Sequence, residues 1–140
     1  MSEKENEIHA MVNKCLDELH NSQEIKYDQD KAERTAALFL STQMHLANLL
    51  EFYELKARQS KRNVEVVEAE KYFHYKTNSS GKNSEASLAH LVAKDEAVIE
   101  AKGKAAKDES ILKKWSYVMG TIKDATLYYR SMAKGKTMWE

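Results

Sequence analysis

Proline is absent from the 140-residue sequence. At the ordinary usage of about 5% a chain of this length would carry several. Proline removes a backbone donor and clashes with the preceding helical turn, so its absence leaves long helices uninterrupted. Glycine, the next strongest helix breaker, occurs only at 81, 103, 120 and 135. No stretch alternates with the period of a strand. These features direct the chain to an all-α fold built from long helices.

Apolar spacing places the helices. Ser2 can cap a first helix, with Glu5 three residues on, as in a capping box. Ile8, Met11, Val12, Cys15, Leu16 and Leu19 then recur at steps of three and four, until Asn21-Ser22-Gln23 ends the run. A second helix is expected over 28–76. Its seam runs through Ala32, Ala36, Phe39, Gln43, Leu46, Leu50, Tyr53, Ala57, Ser60, Val64, Val67 and Lys71. That is a heptad pattern with polar interruptions. At about 1.5 Å per residue such a helix spans roughly 70 Å, too long to bury itself without a partner helix. Residues 77–83, TNSSGKN after the helix, read as a turn. A short helix over 84–92 follows, capped by Asn83 or Ser84. A last long helix covers 95–134, with Asp95 as N-cap. Its seam is Val98, Ala101, Ala105, Asp108, Leu112, Trp115, Met119, Ile122, Thr126 and Tyr129. Gly103 is expected at a close crossing or a bend, and 135–140 as a frayed tail. The expected architecture is one helical domain over 1–140. Its core is an antiparallel long-helix hairpin, coiled-coil-like, with an additional N-terminal helix over 1–21. Phe39, Leu46, Leu50, Tyr53, Val64, Val67, Leu112, Trp115, Met119 and Ile122 form its core or oligomer seam.

Charge is balanced overall, with 22 basic and 22 acidic residues, but unevenly spread. Residues 1–30 hold 3 basic and 8 acidic residues, and residues 56–82 hold 7 basic and 3 acidic. The single cysteine, Cys15, excludes an intramolecular disulfide and a cysteine-rich zinc site. Its apolar neighbours predict a buried, inert thiol. The charged start carries no apolar segment of signal length, and no apolar run is long enough to span a membrane. A cytoplasmic protein is the expectation.

Catalytic patterns are missing from the sequence. The five histidines, at 9, 20, 45, 74 and 90, form no HExxH and no i,i+4 pair. There is no phosphate-binding loop, and Glu68 and Glu70 lie on different helix faces. The chain reads as a non-enzyme without metal or cofactor.

Nucleic-acid binding has positive signals. Lys56, Arg58, Lys61, Arg62, Lys71, Lys76 and Lys82 cluster along the second helix and its turn. Phosphates require such a cationic track. Single strands also expose base faces, on which aromatic rings stack for about 1–3 kcal/mol per base. Tyr72, Phe73 and Tyr75 stand among those lysines. Phe73 is expected to turn into the core, with Tyr72 and Tyr75 more exposed as stacking residues.

A helix ending in adjacent aromatics, a polar turn, then KNSEASLAHLVAKDEAVIEA and a long amphipathic helix with a tryptophan resembles the UvsY family of tailed-phage recombination mediators. The resemblance covers roughly residues 28–133. It implies a protein without enzymatic activity that binds single-stranded DNA and forms a ring-like homo-oligomer. Such a protein loads a RecA-like recombinase onto DNA occupied by a single-strand-binding protein, in the host bacterial cytoplasm. One departure stands out. Family members place a basic pair just before the aromatic pair, whereas this chain has VEAEKYF, with Glu68 and Glu70 ahead of Lys71. Two other readings fit the same sequence. One is a helical phage adaptor or inhibitor of a host machine, working through the acidic N-terminus. The other is a structural coiled-coil component.

Overall fold

The computed structural model describes residues 2–21, 29–78 and 84–134. Among them the fold is all-α. Helix α1 spans Glu3–His20, α2 Gln29–Asn78, α3 Glu85–Lys94 and α4 Glu96–Ala133. The two long helices, α2 and α4, run antiparallel and pack against each other, as the paired seams predict. Helix α2 continues through Thr77 and Asn78, and the rest of the expected turn, 79–83, lies outside the described residues. So does the tail, 135–140.

Local chemistry sets the helix ends. The Ser2 hydroxyl accepts the Glu5 N–H at 3.1 Å, and the Ser84 hydroxyl accepts that of Ser87 at 3.2 Å. Each meets one of the donors that the first helical turn leaves unpaired. Asp95 closes one helix and opens the next. Its N–H donates to the Val92 carbonyl at 3.1 Å, while its carboxylate accepts the Ala97 N–H at 2.9 Å. An extended backbone at this residue (φ −63°, ψ 132°) makes the corner without proline or glycine.

Contacts divide the chain into two compact units, 1–51 with 114–140, and 52–113. The first holds α1, the start of α2 and the end of α4. Cys15, Ala32, Ala36, Phe39, Ile122, Ala125 and Tyr129 form its central cluster. The Phe39 and Tyr129 rings meet edge to face, with centroids 4.9 Å apart. Buried hydroxyls are satisfied locally: Thr42 donates to the Leu38 carbonyl at 2.8 Å and Thr126 to that of Ile122 at 2.7 Å. As its surroundings predicted, Cys15 is buried; its thiol donates to Thr42 Oγ1 at 3.3 Å, and burial raises its pKa.

The seam of α2 needs one correction. Leu49 and Thr42 are buried, whereas Leu50 and Gln43 are half-buried. The heptad reading gave α2 a single partner, α4. Helix α1 is a second partner, reaching Thr42 through Cys15, and it turns the buried face toward 42 and 49.

The second unit holds the end of α2, α3 and the start of α4. Its buried residues are Tyr53, Ser60, Leu88, Val92, Val98, Ala101 and Asp108. Leu88 and Val92 are the buried residues of α3. Along 54–68 and 101–112, α2 and α4 form a two-helix layer of small and polar seam residues. Val64, Val67 and Leu112 are consequently half-buried. Ser60 donates to the Asp108 carboxylate at the centre of that layer. Gly103 is exposed, and a Cβ placed there meets nothing within 4 Å, so it marks no close crossing.

Candidate nucleic-acid interface

Helix geometry distributes the basic residues of α2 rather than aligning them. Successive residues turn by about 100°, so positions three and four apart share a face. Lys56, Arg58, Lys61 and Arg62 are all exposed. Arg58 and Lys61 line a groove of about 630 Å³ between α2 and α4, together with Lys102. Lys56 lines a second groove, of about 410 Å³, with Lys104 across it. The sequence reading missed Lys102 and Lys104. Only the antiparallel register sets them opposite Arg58 and Lys56. Arg58 also pairs with Glu54, one helical turn away. Both side chains are largely exposed, so this pair contributes little and leaves the guanidinium accessible.

At the end of α2 the aromatic assignments reverse. Phe73 is 71% exposed. Tyr72 and Tyr75 are half-buried, and their hydroxyls are engaged. Tyr72 donates to the Glu85 carboxylate, with 2.9 Å to each oxygen, and Tyr75 donates to Asp95 Oδ2 at 2.6 Å. These bonds raise both phenol pKa values, because the carboxylates favour the protonated form. The Tyr75 bond is also the main cause that lowers the pKa of Asp95, with help from the Ala97 N–H and Lys71. Lys71 Nζ lies 3.8 Å from Asp95 Oδ2. Tyr72, Tyr75 and Lys71 thus tie α2 to the ends of α3. The reversal follows from the seam. Lys71 is its last position, so Phe73, two residues on, points about 200° away, while Tyr72 and Tyr75 flank the packed side.

Beside Phe73, His74 and Lys76 are exposed. Asn78 Nδ2 is 3.0 Å from His74 Nδ1, and the Lys76 ammonium lies 5.8 Å from the centroid of the Tyr72 ring. Lys82 lies outside the described residues. Among the described residues no cluster of histidine, cysteine or carboxylate side chains is suited to a metal ion. No described helix is long and apolar enough to cross a membrane.

Comparison with known proteins finds no family model that matches the chain, and no curated protein or solved structure that matches it. The resemblance to the UvsY family therefore rests on the motifs quoted above.

Proposed function

We propose that the 56–76 stretch of α2 binds single-stranded DNA, and that the protein acts as a recombination mediator, loading a RecA-like recombinase onto that strand. The observation that carries this reading is the exposure of Phe73 beside Lys76 and His74, on a helix that also presents Lys56, Arg58, Lys61 and Arg62. A free aromatic face supplies a stacking platform for any base, and the cations supply phosphate contacts. Lys102 and Lys104 extend the cationic surface onto α4.

The test is a titration of labelled oligonucleotide between about 50 and 200 mM salt, where phosphate contacts lose affinity steeply. Phe73→Ala is expected to weaken binding by about 1–3 kcal/mol with an unchanged salt slope. Lys61→Ala with Arg62→Ala is expected to flatten the slope. An absence of strand binding at about 50 mM salt would falsify the proposal. Loading is read separately, as faster recombinase assembly on a strand coated with single-strand-binding protein.

An interaction helix is the second reading. It is favoured by the exposed apolar residues Phe52, Leu55, Val66 and Phe73 along 52–73 of α2.

A further inference from the structure

Those four side chains are 51%, 52%, 47% and 71% exposed, respectively. They do not fall at random. Phe52, Leu55, Gln59, Arg62, Val66, Ala69 and Phe73 follow steps of three and four along one face of α2. This face is turned away from the seam of buried Tyr53 and Ser60 and half-buried Val64 and Val67. It is a second heptad stripe, three heptads or roughly 32 Å long, and its side chains are exposed, with α4 bordering Phe52, Leu55 and Gln59 and α3 bordering Ala69. Phe52 and Leu55 also form a wall of the 410 Å³ groove.

Charge identifies what fits the stripe. In heptad terms Lys56 and Glu70 flank it on one side, and Arg58 and Glu65 flank it on the other. A parallel second copy would set Glu51 against Lys56, but Glu65 against Glu70, like against like. An antiparallel copy, with its two-fold axis beside Asn63, sets Lys56 against Glu70 and Arg58 against Glu65, twice each by symmetry. The same arrangement brings Leu55 over Phe73 of the second copy. Arg58 exchanges its exposed partner Glu54 for Glu65 of the second copy, at little cost. Gln59 and Arg62 at the centre of the stripe lower stability and fix the register, as isolated polar core positions do in coiled coils.

We infer that α2 pairs with α2 of a second copy of this chain, antiparallel, through the stripe from Phe52 to Phe73. The contact is isologous and closes at two chains, in place of the ring-like homo-oligomer that the family resemblance implies. Lys56, Arg58 and Phe73 belong both to this face and to the proposed strand-binding surface. A second copy and a DNA strand therefore compete for it, a consequence that rests on the function proposed above.

The test uses the whole chain and light scattering after size-exclusion chromatography. The wild type is expected to run at twice its 16.1 kDa. Val66→Asp is expected to run as a monomer with unchanged helical circular dichroism. Lys56→Glu and Glu70→Lys should each shift the equilibrium toward monomer, and the double variant should restore the dimer. Asn63→Cys, beside the axis, should oxidise to a covalent dimer. A wild type that stays monomeric at its highest soluble concentration overturns the inference, as does a charge-swapped double variant no better than the singles. Added single-stranded DNA should convert dimer to strand-bound monomer. Binding that leaves the dimer intact overturns the competition. A chain that binds no strand removes the proposed function, while the charge rescue still decides self-pairing.

Discussion

At the residue scale, the buried contact between Ser60 and Asp108 is the most informative polar feature. Both side chains sit in the α2–α4 seam, each about 5% exposed. Removing one member leaves the other buried without its partner, which costs about 1–3 kcal/mol, more where the group is charged. Ser60→Ala alone is therefore expected to lower the urea midpoint. Ser60→Ala with Asp108→Leu should recover most or all of that loss, because an apolar pair needs no hydrogen bond. A double variant weaker than both singles would show that the pair stabilises by more than mutual satisfaction. His9 gives a second residue-scale expectation. Its ring stacks on Trp115 at 4.2 Å and 7°, and burial is the main cause that lowers its pKa below 6.5. A folded value below the unfolded one means that the unfolded chain binds the proton first. Stability should fall as pH drops from about 6.5 through the folded value and level off below it. His9→Phe should remove that part of the slope, and a proton NMR titration of His9 should give a midpoint under 6.5.

At the element scale, the junction of α3 and α4 depends on one carboxylate with three kinds of partner. Asp95 caps α4 through Ala97, accepts the Tyr75 hydroxyl and lies near Lys71. Its lowered pKa makes the contribution fully present above the ordinary carboxylate value of 3.8, to be lost as pH falls through the folded value. Tyr75→Phe removes the largest of these influences. The Asp95 titration is expected to move up toward 3.8, with the pH at which α3 loses amide protection moving up alongside it. An unmoved Asp95 midpoint would assign the lowering to the cap and Lys71 instead. The sequence carried this element well. Ser2 and Asp95 announce their caps, and Ser84 is one of the two candidates there, because short polar side chains before an apolar run have few other uses. The α4 seam was equally legible: Val98, Ala101, Asp108, Met119, Ile122, Thr126 and Tyr129 are all buried. Phe73 against Tyr72 and Tyr75 was readable from the seam itself, since Lys71 ends it and Phe73 lies about 200° further round. Leu50 against Leu49 was not: that choice turns on where a third helix sits, and periodicity within one helix does not encode it. Lys102 and Lys104 were hidden in the same way, because only the register of α4 against α2 sets them across from the basic residues.

At the scale of the whole molecule, the two units differ in what fills them. The unit of 1–51 with 114–140 buries Phe39, Leu46, Leu49, Met119, Ile122 and Tyr129 among three helices. In the unit of 52–113 the middle of the seam is Ala57, Ser60, Val64, Ala105 and Asp108, with grooves open on both flanks. Apolar burial stabilises in rough proportion to area, at about 25 cal/mol per Å². Small and polar seam residues bury little, so local opening should cost less there. Native-state hydrogen exchange is expected to show amides of 56–66 and 100–112 opening at lower free energy than those of 36–49 and 118–129. The Val66→Asp variant is the suitable chain for this measurement, since pairing with a second copy would protect α2 in the wild type. Phe39→Ala provides the counterpart. Loss of a fully buried phenylalanine costs about 3–5 kcal/mol. It should erase protection over 36–49 and 118–129, bringing those segments down to the level of 56–66 or below. Equal protection of the two segment pairs in Val66→Asp would mean that the long helices open as single cooperative elements. Uneven burial along their length would then have no energetic consequence, and a basic surface on the looser unit could not rearrange around a strand without unfolding the rest.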